Sequence, residues 1–216
     1  MRGRIISNRG TALMKTPAMK TCARSLALAV PALLAAGTAF AADAPKIDTG
    51  DTAWMLTSVA LVLMMTIPGV ALFYAGMVRK KNVLATMAQS FVICALVTIV
   101  WVVIGYSIAF GQGGLWFGDF SRVMLNGMAW DKPFVLGPGT DGETPFTIPE
   151  SVFMMFQMTF AIITAALITG AVADRMKFSA MLVFISLWTG IVYSPVAQVV
   201  WHPAGWSCGL GALDLA

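Results

Sequence analysis

Phe153, Phe156 and Phe160 recur at i, i+3 and i+7, a spacing that brings three aromatic rings to one face of a helix with Gln157 beside them. Aromatic faces carry a negative quadrupole, so such a stripe could hold a small cation at about 0.5–2 kcal/mol per ring, depending on desolvation. The same spacing suits a packing or lipid-facing stripe, and spacing alone leaves both readings open. Trp201 supplies a further aromatic that would serve equally well in an interfacial belt. His202, the single histidine, invites a role as proton shuttle or ligand, but beside Pro203 it reads as a solvated loop residue.

Other chemistries lack their residues. There is no Walker-type glycine loop and no nucleophile–base pair, so neither an enzyme nor a cofactor is expected. Cys22, Cys94 and Cys208 suggest no disulfide and no metal site. The apolar stretches carry no mid-membrane Asp, Glu, Lys or Arg, so a charged relay is not indicated. A substrate crossing such a chain would be small and would travel without a buried counter-charge.

These aromatics sit in a chain suited to lipid. Four stretches carry no charged residue and are each long enough to cross a bilayer: Trp54 to Val78, Asn82 to Gly118, Ser151 to Ala173 and Phe178 to Leu213. With 58% hydrophobic and 11% charged residues, the polar surface could not cover a soluble globule of 216 residues. A hydrocarbon core of about 30 Å needs roughly 20 apolar residues in helix, and lipid forbids unpaired backbone groups. The fold class is therefore all-α, a polytopic transmembrane helix bundle with helices at about 54–78, 83–110, 151–173 and 178–200. Pro68-Gly69 is expected to kink the first helix, as a hinge or as a tolerated membrane proline. Ala161, Ala165, Ala166, Gly170 and Ala171 would let the third helix approach its neighbours closely.

The net charge of +4 hints at nucleic acid, yet residues 1–41 hold six basic residues and no acid, leaving eight basic against ten acidic residues downstream. No nucleic-acid partner is expected. Arg2, Arg4, Arg9, Lys15, Lys20 and Arg24 precede an apolar run from Leu26 to Ala36 and a small-x-small site at Ala39-Phe40-Ala41. This reads as a bacterial-type signal peptide, 1–41, ahead of a membrane domain, 42–216; an uncleaved anchor is the rival. Export would place the mature N-terminus outside, in a bacterial inner membrane, and Arg79-Lys80-Lys81 and Arg175-Met176-Lys177 would then both be cytoplasmic, as the positive-inside rule requires. Residues 111–150, rich in acids, Gly and Pro, read as an irregular external loop.

Thr66 to Gly76 (TIPGVALFYAG) followed by Arg79 to Leu84 (RKKNVL) resembles the first-helix signature of the ammonium transporter (Amt) family. The resemblance continues through Trp101 to Gly111, through Phe156-Gln157 and Phe160, through Asp174 to Ala180, and through Gly211 to Ala216, covering about Asp51 to Ala216. It implies a homotrimer in the lipid bilayer, each subunit having eleven helices as two inverted halves around a narrow hydrophobic pore for ammonium or ammonia. By resemblance, Phe160 and Trp201 belong to an external site that recruits ammonium by cation–π contact. Phe156 and Phe160 form a stacked gate, Phe73 lines the pore nearer the cytoplasm, and Asp214 is a buried acid supporting recruitment. A PII-type nitrogen regulatory protein is the implied cytoplasmic partner.

The sequence departs from the family pattern at Gln198, where some members carry histidine, and over Pro203 to Cys208. It stops at Ala216, where the pattern would continue towards two pore histidines and a second half. The chain is therefore expected to be the N-terminal part of a longer product, its 216 residues not transporting alone. The alternatives are an ammonium sensor built on the same membrane module and a membrane fragment with no ligand.

Overall fold

The computed structural model describes residues 46–136 and 144–211, so the expected signal peptide and Asp214 lie outside the described residues. Four helices within it are long and apolar enough to cross a membrane. The first, α1 (Thr49–Met77), begins at Thr49 rather than Trp54 because Asp48 caps it: its side chain accepts the Asp51 N–H at 2.9 Å. The second, α2, spans Lys80–Phe110, and the third, α3, spans Glu150–Val172. The fourth, α4, runs as Phe178–Trp188, continues through Thr189–Tyr193, and ends as Ser194–Trp201. A short helical turn, α5 (Trp206–Gly209), follows.

Helix α3 is the inner member. Half of its apolar window is buried, against 22% for α1. Ala161, Ala165 and Ala166 are fully buried in it, and Gly170 abuts the ring of Tyr74 on α1, where a Cβ would collide. Tyr74 in turn donates its hydroxyl hydrogen to the Leu167 carbonyl at 3.0 Å. Small residues thus bring backbones together as lipid-embedded helices require. Ala171, expected on the same close face, is instead exposed.

Pro68 does not act as a break. Proline lacks the N–H that would reach Met64, and the helix widens into a π turn at Met65–Val70, where Ala71 N–H bonds back to Thr66 O, five residues earlier. Backbone on either side stays helical, with Met64 at φ −64 and Ala71 at φ −60. Two further π turns interrupt α2 (Trp101–Gly105) and α4 (Thr189–Tyr193). They face each other: Trp101, fully buried, meets the Tyr193 ring edge-on at 6.1 Å.

The connection between α2 and α3 is less irregular than its composition suggests. It contains an antiparallel hairpin, β1 (Pro133–Leu136) with β2 (Thr144–Pro149), in the register Pro133 opposite Pro149 and Leu136 opposite Thr144, with an irregularity between Pro133 and Val135. Alternation explains why this polar segment holds a strand: Phe134 and Leu136 are buried while their neighbours are not. The hairpin lies over the start of α3 and the first turns of α1.

Candidate functional site

The first turns of α3 carry the aromatic stripe, and its three rings take two different jobs. Phe153 is buried and acts as a hub, meeting Phe134 at 4.8 Å, Phe146 at 5.3 Å and Phe110 at 5.1 Å, the last edge to face at 85°. It fastens the hairpin and the end of α2 to α3. Phe156 and Phe160 are only half-buried, with centroids 5.0 Å apart and planes at 75°. The expected stack is therefore an edge-to-face pair, the arrangement that the ring quadrupoles favour.

Phe156, Gln157 and Phe160 face a cavity of about 320 Å3. Trp201, at the end of α4, also lines it, and Phe110, Leu136, Phe146 and Phe153 complete the wall. The structure thus brings Phe156, Phe160 and Trp201 together from residues up to 45 positions apart. Gln157 brings to this wall an amide that can accept and donate, and Trp201 an indole N–H that can donate. Such a cavity presents ring faces and an amide but no charge; the ring faces and the Gln157 carbonyl suit a small cation able to donate hydrogen bonds, whereas an anion would find only neutral N–H donors.

Trp101 ties both walls together. Its ring lies 6.3 Å from Phe110 on one side and 6.1 Å from Tyr193 on the other, and Tyr193 meets Trp201 at 6.5 Å. A chain of edge contacts between two π turns therefore fixes the distance between the α2 and α4 sides of the cavity. Gly105 permits the approach, since a Cβ there would lie 3.1 Å from the Trp101 ring.

A buried ion pair that the sequence analysis did not single out holds the loop above the site. Glu150, 3% exposed, accepts from Arg122 Nε at 3.0 Å and from the Tyr106 hydroxyl at 3.1 Å. Arg122 Nη1 also donates to the carbonyls of Gly127 at 2.6 Å and Asn126 at 3.3 Å, and its backbone N–H donates to Ser107 Oγ at 3.1 Å. Ser107 Oγ passes its own hydrogen to Asp119 O at 2.7 Å. Glu150 lies in the first turn of α3, where a carboxylate also opposes the positive end of the helix dipole. Both residues look like ordinary loop charges in sequence; the one available signal is a Glu directly after a Pro at a helix start.

His202 departs from expectation in a different way. It is 1% exposed rather than solvated. Helix α4 ends at Trp201, and the chain turns back over the helix end through Gly205, whose N–H bonds to His202 O at 2.8 Å and where a Cβ would collide with the Gln198 and Val199 carbonyls. Nδ1 accepts from Ala204 N–H at 3.1 Å, while Nε2 meets no partner among the described residues. The turn is fastened to the loop after α2 by Trp206 N–H to Leu115 O at 3.1 Å, and Gln198 Nε2 donates to Gly114 O at 3.3 Å. His202 does not line the aromatic cavity.

Phe73 stands apart. It is 62% exposed on α1, touches Tyr74 at 5.3 Å, and does not line the aromatic cavity. It lies towards the end of α1 where Arg79 and Asn82 both bond the Asp174 carboxylate, Arg79 at 3.4 Å. That contact places the two basic clusters at one end of the bundle and the aromatic cavity towards the other.

The model of the Ammonium Transporter Family matches residues 53–216. A protein named ammonium transporter from Bacillus subtilis (strain 168) is 49% identical over 167 residues, which is 77% of this chain and 39% of that protein. One of the same name from Aquifex aeolicus (strain VF5) is 46% identical over 179 residues, 82% of this chain and 40% of that protein. Among solved structures, Candida albicans Mep2 matches with a TM-score of 0.65 at 35% identity, covering 79% of this chain and 35% of the other. The chain spans about two fifths of the length of these curated relatives.

Proposed function

The chain belongs to the Ammonium Transporter Family, and from that membership we propose that its aromatic cavity recruits ammonium for passage across the membrane. The observation that carries this reading is the convergence of Phe156, Phe160 and Trp201, with Gln157, around one uncharged cavity of about 320 Å3. An ammonium ion held there gains from each ring face it touches, and the Gln157 carbonyl can accept one of its hydrogens. The edge-to-face pair of Phe156 and Phe160 then forms the barrier that the ion meets with its hydration already loosened. Potassium, similar in size, has no N–H to offer the amide and no proton to release.

The remainder of the scheme is part of the same proposal. Both basic clusters lie at one end, which supports placing that end in the cytoplasm and the aromatic end outside a bacterial inner membrane. Phe73 lining the pore further in, Asp214 supporting recruitment, the signal peptide, the homotrimer and docking by a PII-type regulator rest on the family resemblance.

The test is methylammonium uptake by the whole protein carrying this sequence, with potassium as competitor. Trp201→Leu is expected to weaken preference for ammonium over potassium by about tenfold, the loss of roughly one desolvated ring contact. Phe160→Ala is expected to open the barrier and raise leakage. Unchanged selectivity and uptake in both variants would reduce these rings to packing.

A further inference from the structure

The aromatic cavity has a neighbour of about 370 Å3, and Phe146, Phe153, Phe156 and Gln157 line both. The second hollow differs from the first in one chemical respect: its rim includes a carboxylate. Asp51 and Trp54, from the first turns of α1, form that rim together with Thr147 of β2. Thr147 donates its hydroxyl hydrogen to Asp51 Oδ2, and its carbonyl accepts Asp48 N–H at 2.8 Å. Asp48 is committed to capping the Asp51 N–H. The carboxylate of Asp51 is thus held by the Thr147 hydroxyl, while its backbone is held by the Asp48 cap.

One hydroxyl bond leaves most of the lone pairs of a carboxylate free. Among the described residues, the ion pairs are Arg79–Asp174 and Arg122–Glu150, and neither neutralises Asp51. Trp54, 69% exposed, offers a ring beside it. A fixed anion, an aromatic face and a wall shared with the inner cavity are the requirements of a station for small N–H cations.

We infer that this hollow is an antechamber in which the Asp51 carboxylate and the Trp54 ring hold an ammonium or monoalkylammonium ion before it crosses the shared wall formed by Phe156 and Gln157. The inference rests on the reading of the inner cavity as the recruitment site. It divides the work in two: the antechamber concentrates cations by charge and the inner cavity discriminates among them by ring faces and hydrogen bonds. Charge attraction at an exposed rim is screened over about 10 Å at 0.1 M salt, whereas ring contacts in the inner cavity are screened far less. The two stations therefore differ in salt dependence.

The experiment measures methylammonium uptake by the whole protein in proteoliposomes, at low and high ionic strength. Asp51→Asn keeps an oxygen for Thr147 and removes the charge. It is expected to raise KM about two- to fivefold at low salt, with the maximal rate and the ammonium-to-potassium preference unchanged, and to match the wild type at high salt. Asp51→Glu restores the low KM, and Thr147→Val, which removes the hydrogen bond but keeps the charge, retains the salt dependence. An unchanged KM in Asp51→Asn at low salt, or a change that persists at high salt, overturns the antechamber. A raised, salt-sensitive KM in Asp51→Asn with Trp201→Leu silent would support the antechamber and overturn the inner site instead.

Discussion

The two ends of this bundle hold an ion pair each, and the pairs are opposites in setting. At the basic end, Arg79 meets Asp174 at 3.4 Å with the arginine side chain 68% exposed. At the aromatic end, Arg122 meets Glu150 at 3.0 Å with the glutamate side chain 4% exposed. An exposed pair exchanges water for a partner at little net gain, so the basic end relies on something else: the Gly170–Tyr74 notch, where backbones come close enough for a tyrosine hydroxyl to reach a carbonyl. The buried pair is costly to leave half-made, and it clamps a long connection over a cavity. One end is joined by shape and the other by a polar network that shape alone could not have placed.

Truncating Glu150 to alanine is the strongest way to break this contrast. It removes the acceptor of Arg122 Nε and of the Tyr106 hydroxyl while Arg122 Nη1 keeps its two carbonyls, and the expected loss is about 2–4 kcal/mol of stability, read as a lower melting temperature in detergent. Glu150→Gln keeps both hydrogen bonds and should lose clearly less. Gly170→Ala comes next, at about 1–3 kcal/mol, because the new methyl must displace a ring already tied to Leu167 O. Arg79→Ala should cost at most about 1 kcal/mol. Equal melting temperatures for Glu150→Ala and Arg79→Ala would erase the distinction between the ends, and a silent Gly170→Ala would remove shape as the basis of the basic end.

The sequence disclosed most where lipid constrains it. Charge-free runs pointed to α1 through α4, because burial in a bilayer filters residue types along the whole length of a helix; ring spacing on α3 left packing and cation binding open, and the family resemblance singled out Phe156 and Phe160. The connection from 111 to 150 was harder to read, since a residue's fate there depends on what docks over it. Glu150 and Arg122 are polar in composition and buried in fact because each finds the other across 28 residues. Phe110, Leu136 and Phe146 reach the cavity from three separate segments. His202 was misread for the same reason: its burial is set by the turn at Gly205, four residues past the end of α4, and by no property of its immediate neighbours.

The π turns impose a counting rule on α4. Each such turn holds one residue more than the α-helix around it would, so everything after it is rotated by about 100° relative to an uninterrupted helix. Trp201 lies downstream of Thr189–Tyr193 and lines the cavity in the phase that this additional residue sets. The phase of α4 is therefore written in its length as much as in its side chains. Removing one residue from the turn would let the helix relax to ordinary geometry while steering Trp201 onto another face. Substitution at the exposed Ile191 and Val192 is therefore expected to leave the melting temperature and the position of Trp201 unchanged, and deletion of either residue to shift both.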